Sequence, residues 1–132
     1  MRLLVDTNIF LEVLLEQRRS DEAKELLAKT DTHDFFISDF SLHSIGLIQR
    51  KHNKAEAFRD FLADMVMGAG TGVALLHPGE MEAVADHAAA FHLDFDDAYQ
   101  YAVAEKYDLT IVSFDKDFDR TARGRGTPSV IA

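Results

Sequence analysis

The chain begins Met1-Arg2-Leu3-Leu4-Val5-Asp6-Thr7-Asn8-Ile9-Phe10-Leu11, and the polar break at Asp6-Thr7-Asn8 decides how it is read. Leu3-Leu4-Val5 is a short continuous apolar run, the pattern of a strand covered on both faces. Three polar residues then interrupt what would otherwise be core, and apolar residues resume at once. The pattern predicts a strand over 2–5, a turn carrying Asp6, and a helix over 8–17 with Ile9, Leu11, Val13, Leu14 and Leu15 at its apolar positions.

The same alternation continues outward. Ser20 or Asp21 is placed to cap a second helix with Ala23, Leu26 and Leu27 inward. Phe35-Phe36-Ile37 reads as a second strand, and Ser38 or Asp39 as the cap of a helix running to about residue 51. Asn53 breaks that helix, and 54–67 resumes helical spacing. Gly68, Gly70 and Gly72 mark a loop before a third strand over 73–76. His77-Pro78-Gly79 turns the chain into helices over 80–92 and 95–107, the latter capped by Asp94. A fourth strand follows over 109–112, then a short turn or helix over 116–120, and 129–131 reads as a fifth strand. Strands alternating with helices predict an α/β fold, a three-layer sandwich whose central parallel sheet of four to five strands is flanked by helices. With 132 residues, no internal repeat and no linker, one domain over 1–132 is expected.

Composition narrows the function. The chain has no cysteine, which rules out disulfides, a thiolate nucleophile and any Cys-based zinc site. No apolar run approaches the roughly 20 residues of a membrane helix. Asp6 and Glu12 interrupt the place where a signal peptide needs a continuous apolar segment, so a cytoplasmic protein without membrane contact is expected. The net charge of −9 argues against broad electrostatic attraction to nucleic acid. The positive charge is nevertheless clustered. Arg120, Arg123 and Arg125 stand without an acid over 120–126, and Arg50-Lys51-His52 with Lys54 forms a second group. Either cluster alone reads as solvated surface charge.

Ligands in open parallel α/β sheets bind outside the carboxyl ends of strands. Asp6 follows the first strand, Ser38-Asp39 the second, and Ser113-Phe114-Asp115-Lys116-Asp117 the fourth. The helix opening Asp94-Phe95-Asp96-Asp97 starts at the same edge. Each acid alone is explained as a helix cap or a first-turn charge. Three separate segments bringing acids to one edge are not. Two carboxylates about 4 Å apart repel by about 4 kcal/mol at an effective dielectric near 20. Such a cluster calls for a hard divalent cation, and Mg²⁺ pairs carboxylates with substrate phosphates.

These residues carry a resemblance. Leu4-Val5-Asp6-Thr7-Asn8, then Asp97-Ala98 opening a helix, then Ile111-Val112-Ser113-Phe114-Asp115-Lys116-Asp117-Phe118 resembles the PIN-domain family, and most closely the VapC-type toxins of toxin–antitoxin pairs. The likeness spans essentially the whole chain. It implies a ribonuclease using Mg²⁺ or Mn²⁺, with Asp6, Asp97 and Asp115 as metal ligands and Asp117 as an accessory catalytic acid. Asn8 and Ser113 would position the site or a phosphate oxygen. Asp94 and Asp96 match the pattern less well and read as cap and surface. The family's Glu in the helix after the second strand is missing: Ser44 stands there, and no Glu occurs between residues 26 and 55. A serine brings no negative charge, so weaker metal binding is expected, or a module that only binds a protein or RNA partner. Arg123 and Arg125 are candidates for flanking RNA phosphates, with Arg50 and Lys51 behind them. An antitoxin partner and a homodimer are implied by the same resemblance.

Other readings fit less well. A haloacid-dehalogenase-type phosphatase needs Asp where Asn8 stands. A phospho-receiver needs an acid after the third strand, where His77-Pro78 stands. His87 and His92, five residues apart, do not share a helix face as a zinc pair would. Gly68, Gly70 and Gly72 lack the lysine of a phosphate-binding loop and precede a strand.

Overall fold

The computed structural model describes residues 1–131. Four strands, β1 (Arg2–Val5), β2 (Asp34–Ser38), β3 (Gly72–Ala74) and β4 (Thr110–Val112), form a parallel sheet in the order β3-β2-β1-β4. Helices α1 (Thr7–Leu14) and α2 (Ser20–Leu27) connect β1 to β2, and α3 (Asp39–Lys51) and α4 (Ala55–Phe61) connect β2 to β3. Helices α5 (Met81–Phe91) and α6 (Phe95–Tyr107) then carry the chain across the sheet to β4, and α7 (Pro128–Ile131) closes the described chain.

The strands alternate between two cores. Leu3 and Val5 of β1, Phe35 and Ile37 of β2, and Val112 of β4 pack with Ile9, Phe10, Leu26, Ile45 and Phe61 on one face. Leu4 and Ile111 pack with Val84, Tyr101, Val103 and Leu109 on the other. Apolar side chains at successive positions of the central β1 and of β4 are thus all buried, because period-two alternation sends them to opposite, covered faces, whereas Val73 on the edge strand β3 is exposed. This is the three-layer sandwich expected. Among the described residues no helix is long and apolar enough to cross a membrane.

The expected fifth strand is not formed. Gly126 makes a single bridge beside β4, donating its N–H to Ile111 O at 2.8 Å and accepting Ser113 N–H at 3.1 Å. Pro128 then starts α7. Proline has no N–H for a ladder and its φ suits the first helical position. Two helices are also shorter than their apolar periodicity. The first ends at Leu14, with Glu16 at φ 51°. The second continues beyond Phe61 as a wider turn over Leu62–Gly68.

Topology fixes where a site can lie. From β1 the chain builds outward through β2 to β3, then returns to add β4 on β1's other side. The crevice between the carboxyl ends of β1 and β4 is therefore the switch point of the sheet, the expected ligand position. Asp6 follows β1 there and Ser113 follows β4.

Candidate metal centre

Asp6 leaves β1 in an extended conformation and opens α1, its Oδ1 accepting the N–H of Thr7 at 2.8 Å. The aspartate is buried and held by two further donors. Gln100 Nε2 donates to Oδ1 at 2.9 Å, and Ser113 Oγ donates to Oδ2 at 2.6 Å. The Ser113 hydroxyl also accepts from Asn8 Nδ2 at 3.1 Å and from Asp115 N–H at 2.9 Å. With both its lone pairs taken, its one proton goes to the carboxylate. Asn8 Oδ1 accepts Phe114 N–H at 3.3 Å, tying the start of α1 to the loop after β4. Burial raises the Asp6 carboxyl above the usual range. Bonds from Ser113, Gln100 and Thr7 oppose that rise, and the charge of Asp115 adds to it. Oδ2 keeps spare acceptor capacity.

Gln100 lies one turn after Asp97 on α6 and is itself buried. Its Nε2 also donates to Ser41 Oγ at 2.9 Å, and its Oε1 accepts from Ser38 Oγ at 2.5 Å. Ser38 in turn caps α3, its Oγ accepting Ser41 N–H at 3.0 Å, and Thr7 Oγ1 meets Ser41 Oγ at 2.8 Å. One glutamine thus joins α6, α3 and the end of β1. Every polar atom of its side chain is satisfied, the condition under which a buried polar group is not a liability.

In front of this floor stand the other acids. Carboxylate oxygens of Asp97, Asp115 and Asp117 lie within 4.8 Å of one another. Asp115 Oδ1 accepts Asp117 N–H at 2.8 Å, a turn that folds the post-β4 loop back on itself. Asp97 is pushed up to about 8, first by burial, then by the charges of Asp115, Asp6 and Asp96. One trio thus takes Asp117 as its third member, a second joins Asp97 to Asp94 and Asp96, and Asp6 acts on Asp97 through its charge.

A cavity of about 250 Å³ opens over these groups, with Asp6, Asp96, Asp97 and Asp115 on its acidic wall. Phe40, Ser44 and Ile48, successive turns of α3, line the other side with Leu11. Ser44 thus reaches the site from the position its sequence suggested. Asp96, read from sequence as surface, is exposed and also lines the cavity. Asp94 starts α6 without a side-chain capping bond; the Asp97 N–H that a cap would take goes to Asp96 Oδ1 at 3.1 Å.

The two arginines expected to hold phosphates are engaged elsewhere. Arg123 Nη2 binds Asp108 Oδ1 at 2.9 Å and Leu109 O at 3.2 Å. Arg125 commits Nε and Nη2 to Asp119 and Nη1 to Ser113 O at 3.0 Å. In this arrangement both guanidiniums brace the post-β4 loop through carboxylates and carbonyls.

Sequence reasoning gave no site role to Gln100, Ser41 or Thr7, and read Ser38 as a helix cap without its bond to Gln100. Gln100 carried a signal: it is polar inside the small apolar run from Ala98 to Ala104 and shares a helix face with Asp97. The serines carried none, since Ser38 is equally explained as a cap.

The donor set fits a hard divalent cation. It is all oxygen, comes from three chain segments, and leaves one carboxyl near neutrality when no cation offsets its neighbours' charge.

Comparison with known proteins agrees with this geometry. The PIN domain family model matches residues 3–124. No curated protein sequence matches the chain. Among solved structures, the chain is similar to the VapC20 toxin of Mycobacterium tuberculosis, described as cleaving the sarcin–ricin loop. That match has a TM-score of 0.76 and 18% identity, over 92% of this chain and 95% of that one. It is similar to VapBC2 of Rickettsia felis bound to a promoter DNA fragment, with a TM-score of 0.74 and 14% identity over 96% and 97% of the two chains. A toxin–antitoxin complex from Klebsiella pneumoniae gives a TM-score of 0.71 and 22% identity over 96% and 97%. With the family model covering nearly the whole chain and the acids of its motifs gathered at the switch point of the sheet, this protein belongs to the PIN domain family.

Proposed function

We propose that the chain is a divalent-metal-dependent endoribonuclease, the toxin of a toxin–antitoxin pair working in the cytoplasm. The observation that carries this reading is the convergence of Asp6, Asp97 and Asp115 on one cavity, with Asp117 grouped beside Asp97 and Asp115 and the Asp97 carboxyl raised to about 8 by burial and its acidic neighbours. Asp97 and Asp115 would hold Mg²⁺ or Mn²⁺, with Asp6 behind them and Asp117 as accessory acid. A cation bound there supplies Lewis acidity toward a phosphodiester and a water of lowered pKa. The chain's own part is orientation. Ser113 and Gln100 fix the Asp6 carboxylate, Asn8 fixes Ser113, and Ser44 offers a hydroxyl for a water or a phosphate oxygen.

The antitoxin reading has support on the opposite side of α1. A cleft of about 500 Å³, lined by Phe10, Val13, Leu14, Leu27, Phe61 and Met65, offers an apolar groove to a partner segment. A homodimer belongs to the same reading, and sedimentation of the purified chain tests it.

The second reading, a PIN module that binds partners without cutting, is favoured by Ser44 where the family usually carries a Glu. Incubation of an RNA substrate with Mg²⁺ or Mn²⁺ separates the two. Cleavage abolished by EDTA and by Asp97→Asn supports the nuclease, while turnover surviving saturating EDTA defeats it. An inert wild type that still binds RNA or protein leaves the second reading standing.

A further inference from the structure

Beside the acidic cavity, across the exposed ridge of α3, lies a second cleft of about 390 Å³. Its walls come from α3 and α4, and its charged lining is opposite in sign to that of the acidic cavity. Leu42, Leu47 and Phe58 give it an apolar floor, and His43, Arg50 and Arg59 are its charged or titratable lining, with no acid among them. On a chain of net charge −9 such a lining is a local inversion. Among the described residues the acid that engages it is Glu56, an exposed i,i+3 partner of Arg59 at 3.2 Å, an interaction of small energy.

Arg50 lines this cleft and Lys51 follows it on α3; both are unspent. Arg120, Arg123 and Arg125 each bind a carboxylate, whereas Arg50 and Lys51 are exposed and make no side-chain hydrogen bond or ion pair among the described residues. Leu47 is 49% exposed, a large apolar side chain left in solvent between them. Helical spacing links the two clefts: Leu47 is three residues after Ser44, and Arg50 and Lys51 are three and four after Leu47, so they are neighbours along one exposed ridge. Gly46 lets the Phe58 ring lie close to α3, since a Cβ there would meet the ring at 3.1 Å.

We propose that the α3–α4 cleft is a nucleotide subsite for single-stranded RNA. A flanking base would sit on Phe58 and Leu47, with its phosphates on Arg50 and Lys51, while the scissile bond lies in the acidic cavity. An aromatic and apolar platform rimmed by free cations is the chemistry that holds single strands without reading their sequence. This rests on the ribonuclease reading and adds the path the substrate takes: over α3, not over the arginine loop at 120–126.

The test uses a fluorescein-labelled single-stranded RNA oligonucleotide and the full chain in EDTA, with binding read by anisotropy at several salt concentrations. Arg50→Gln with Lys51→Gln, both exposed and without partners, leaves folding intact. It is expected to weaken binding about tenfold and to reduce the salt slope by about 1.4, since each phosphate left without its cation removes about 0.7. Leu47→Ser should weaken binding without changing that slope. Unchanged affinity and slope in the double variant, with a wild type that binds and cleaves, overturns the subsite and spares the nuclease. A wild type that neither binds nor cleaves RNA removes both. Sedimentation of Leu47→Ser gives the remaining outcome: loss of a dimer with unaltered RNA affinity makes this face an interface between copies and overturns the proposal.

Discussion

Gln100 Nε2 stands 2.9 Å from Asp6 Oδ1, across 94 positions of sequence, and that bond ties the start of α6 to the end of β1. Asp97, one turn earlier on the same helix, is thereby held in fixed relation to Asp6. The acids of the site are positioned by a neutral amide buried beneath them.

Replacing Gln100 with methionine, close in volume and without polar atoms, should expose that role. Asp6 Oδ1, Ser38 Oγ and Ser41 Oγ each lose a partner in a buried place, and a destabilisation of about 2 kcal/mol is expected. Urea denaturation measures it. Calorimetric titration with Mn²⁺ should show weaker binding at the same time, because Asp6 and Asp97 are no longer held together. Loss of stability with unchanged Mn²⁺ affinity would limit Gln100 to a packing role.

The acidic cluster should make the metal-free protein less stable as pH rises. Asp97 goes from 3.8 to about 8 on folding, so between those values the folded chain keeps a proton that the unfolded chain releases. Stability contributed by that proton is complete below about pH 4, falls through the window, and levels out above about pH 8. Solvent screens a half-buried carboxyl, so the loss is about 2 kcal/mol, well below the full shift. The difference in Tm between wild type and Asp97→Asn, followed from pH 4 to 9 in EDTA, isolates it. The gap should widen with pH in favour of the variant, and a constant gap counts against the shift.

Asp6→Asn is less simple. Its amide oxygen would still accept from Thr7 and Gln100, but its nitrogen would face Ser113 Oγ, which already accepts two donors. Relief of carboxylate repulsion is then offset by a donor–donor clash. Asp6→Asn should abolish cleavage with little gain in metal-free Tm, in contrast to Asp97→Asn. A gain equal to that of Asp97→Asn would show that the Ser113 network rearranges freely.

Ser44→Glu should add the missing carboxylate. The side chain lines the acidic cavity, so Mg²⁺ binding is expected to tighten by about tenfold, and the metal-free protein to lose stability from added repulsion. Calorimetry in both states checks the two effects together. Unaltered Mg²⁺ affinity would mean that a longer side chain at 44 turns away from the acids.

Arg125→Gln should cost about 1 kcal/mol in stability, since its guanidinium holds Ser113 O and Asp119. The salt slope of RNA binding should not change, the opposite of the result expected at Arg50 and Lys51. A lowered slope with unaltered stability would return Arg125 to the substrate.

Much of this molecule was legible in its residues. Short apolar runs ending in Asp or Ser, separated by helical periodicity, were enough for the parallel sheet, its two covered faces and the acidic edge, because strand burial and helix capping are local properties of sequence. The strand expected at 129–131 is a helix for an equally local reason, the adjacent Pro128. Other features depend on chain-distant partners. Sequence offered Arg123 and Arg125 as candidates for phosphates, and could not show that Asp108, Asp119 and the Ser113 carbonyl are their partners within the chain. Gln100 looked like one polar residue among alanines until β1, α3 and α6 met around it. Local pattern determined which elements form and which edge collects acids. Tertiary packing decided which polar groups are spent on one another and which remain free, since hydrogen-bond partners more than 90 residues apart are chosen only when the chain closes.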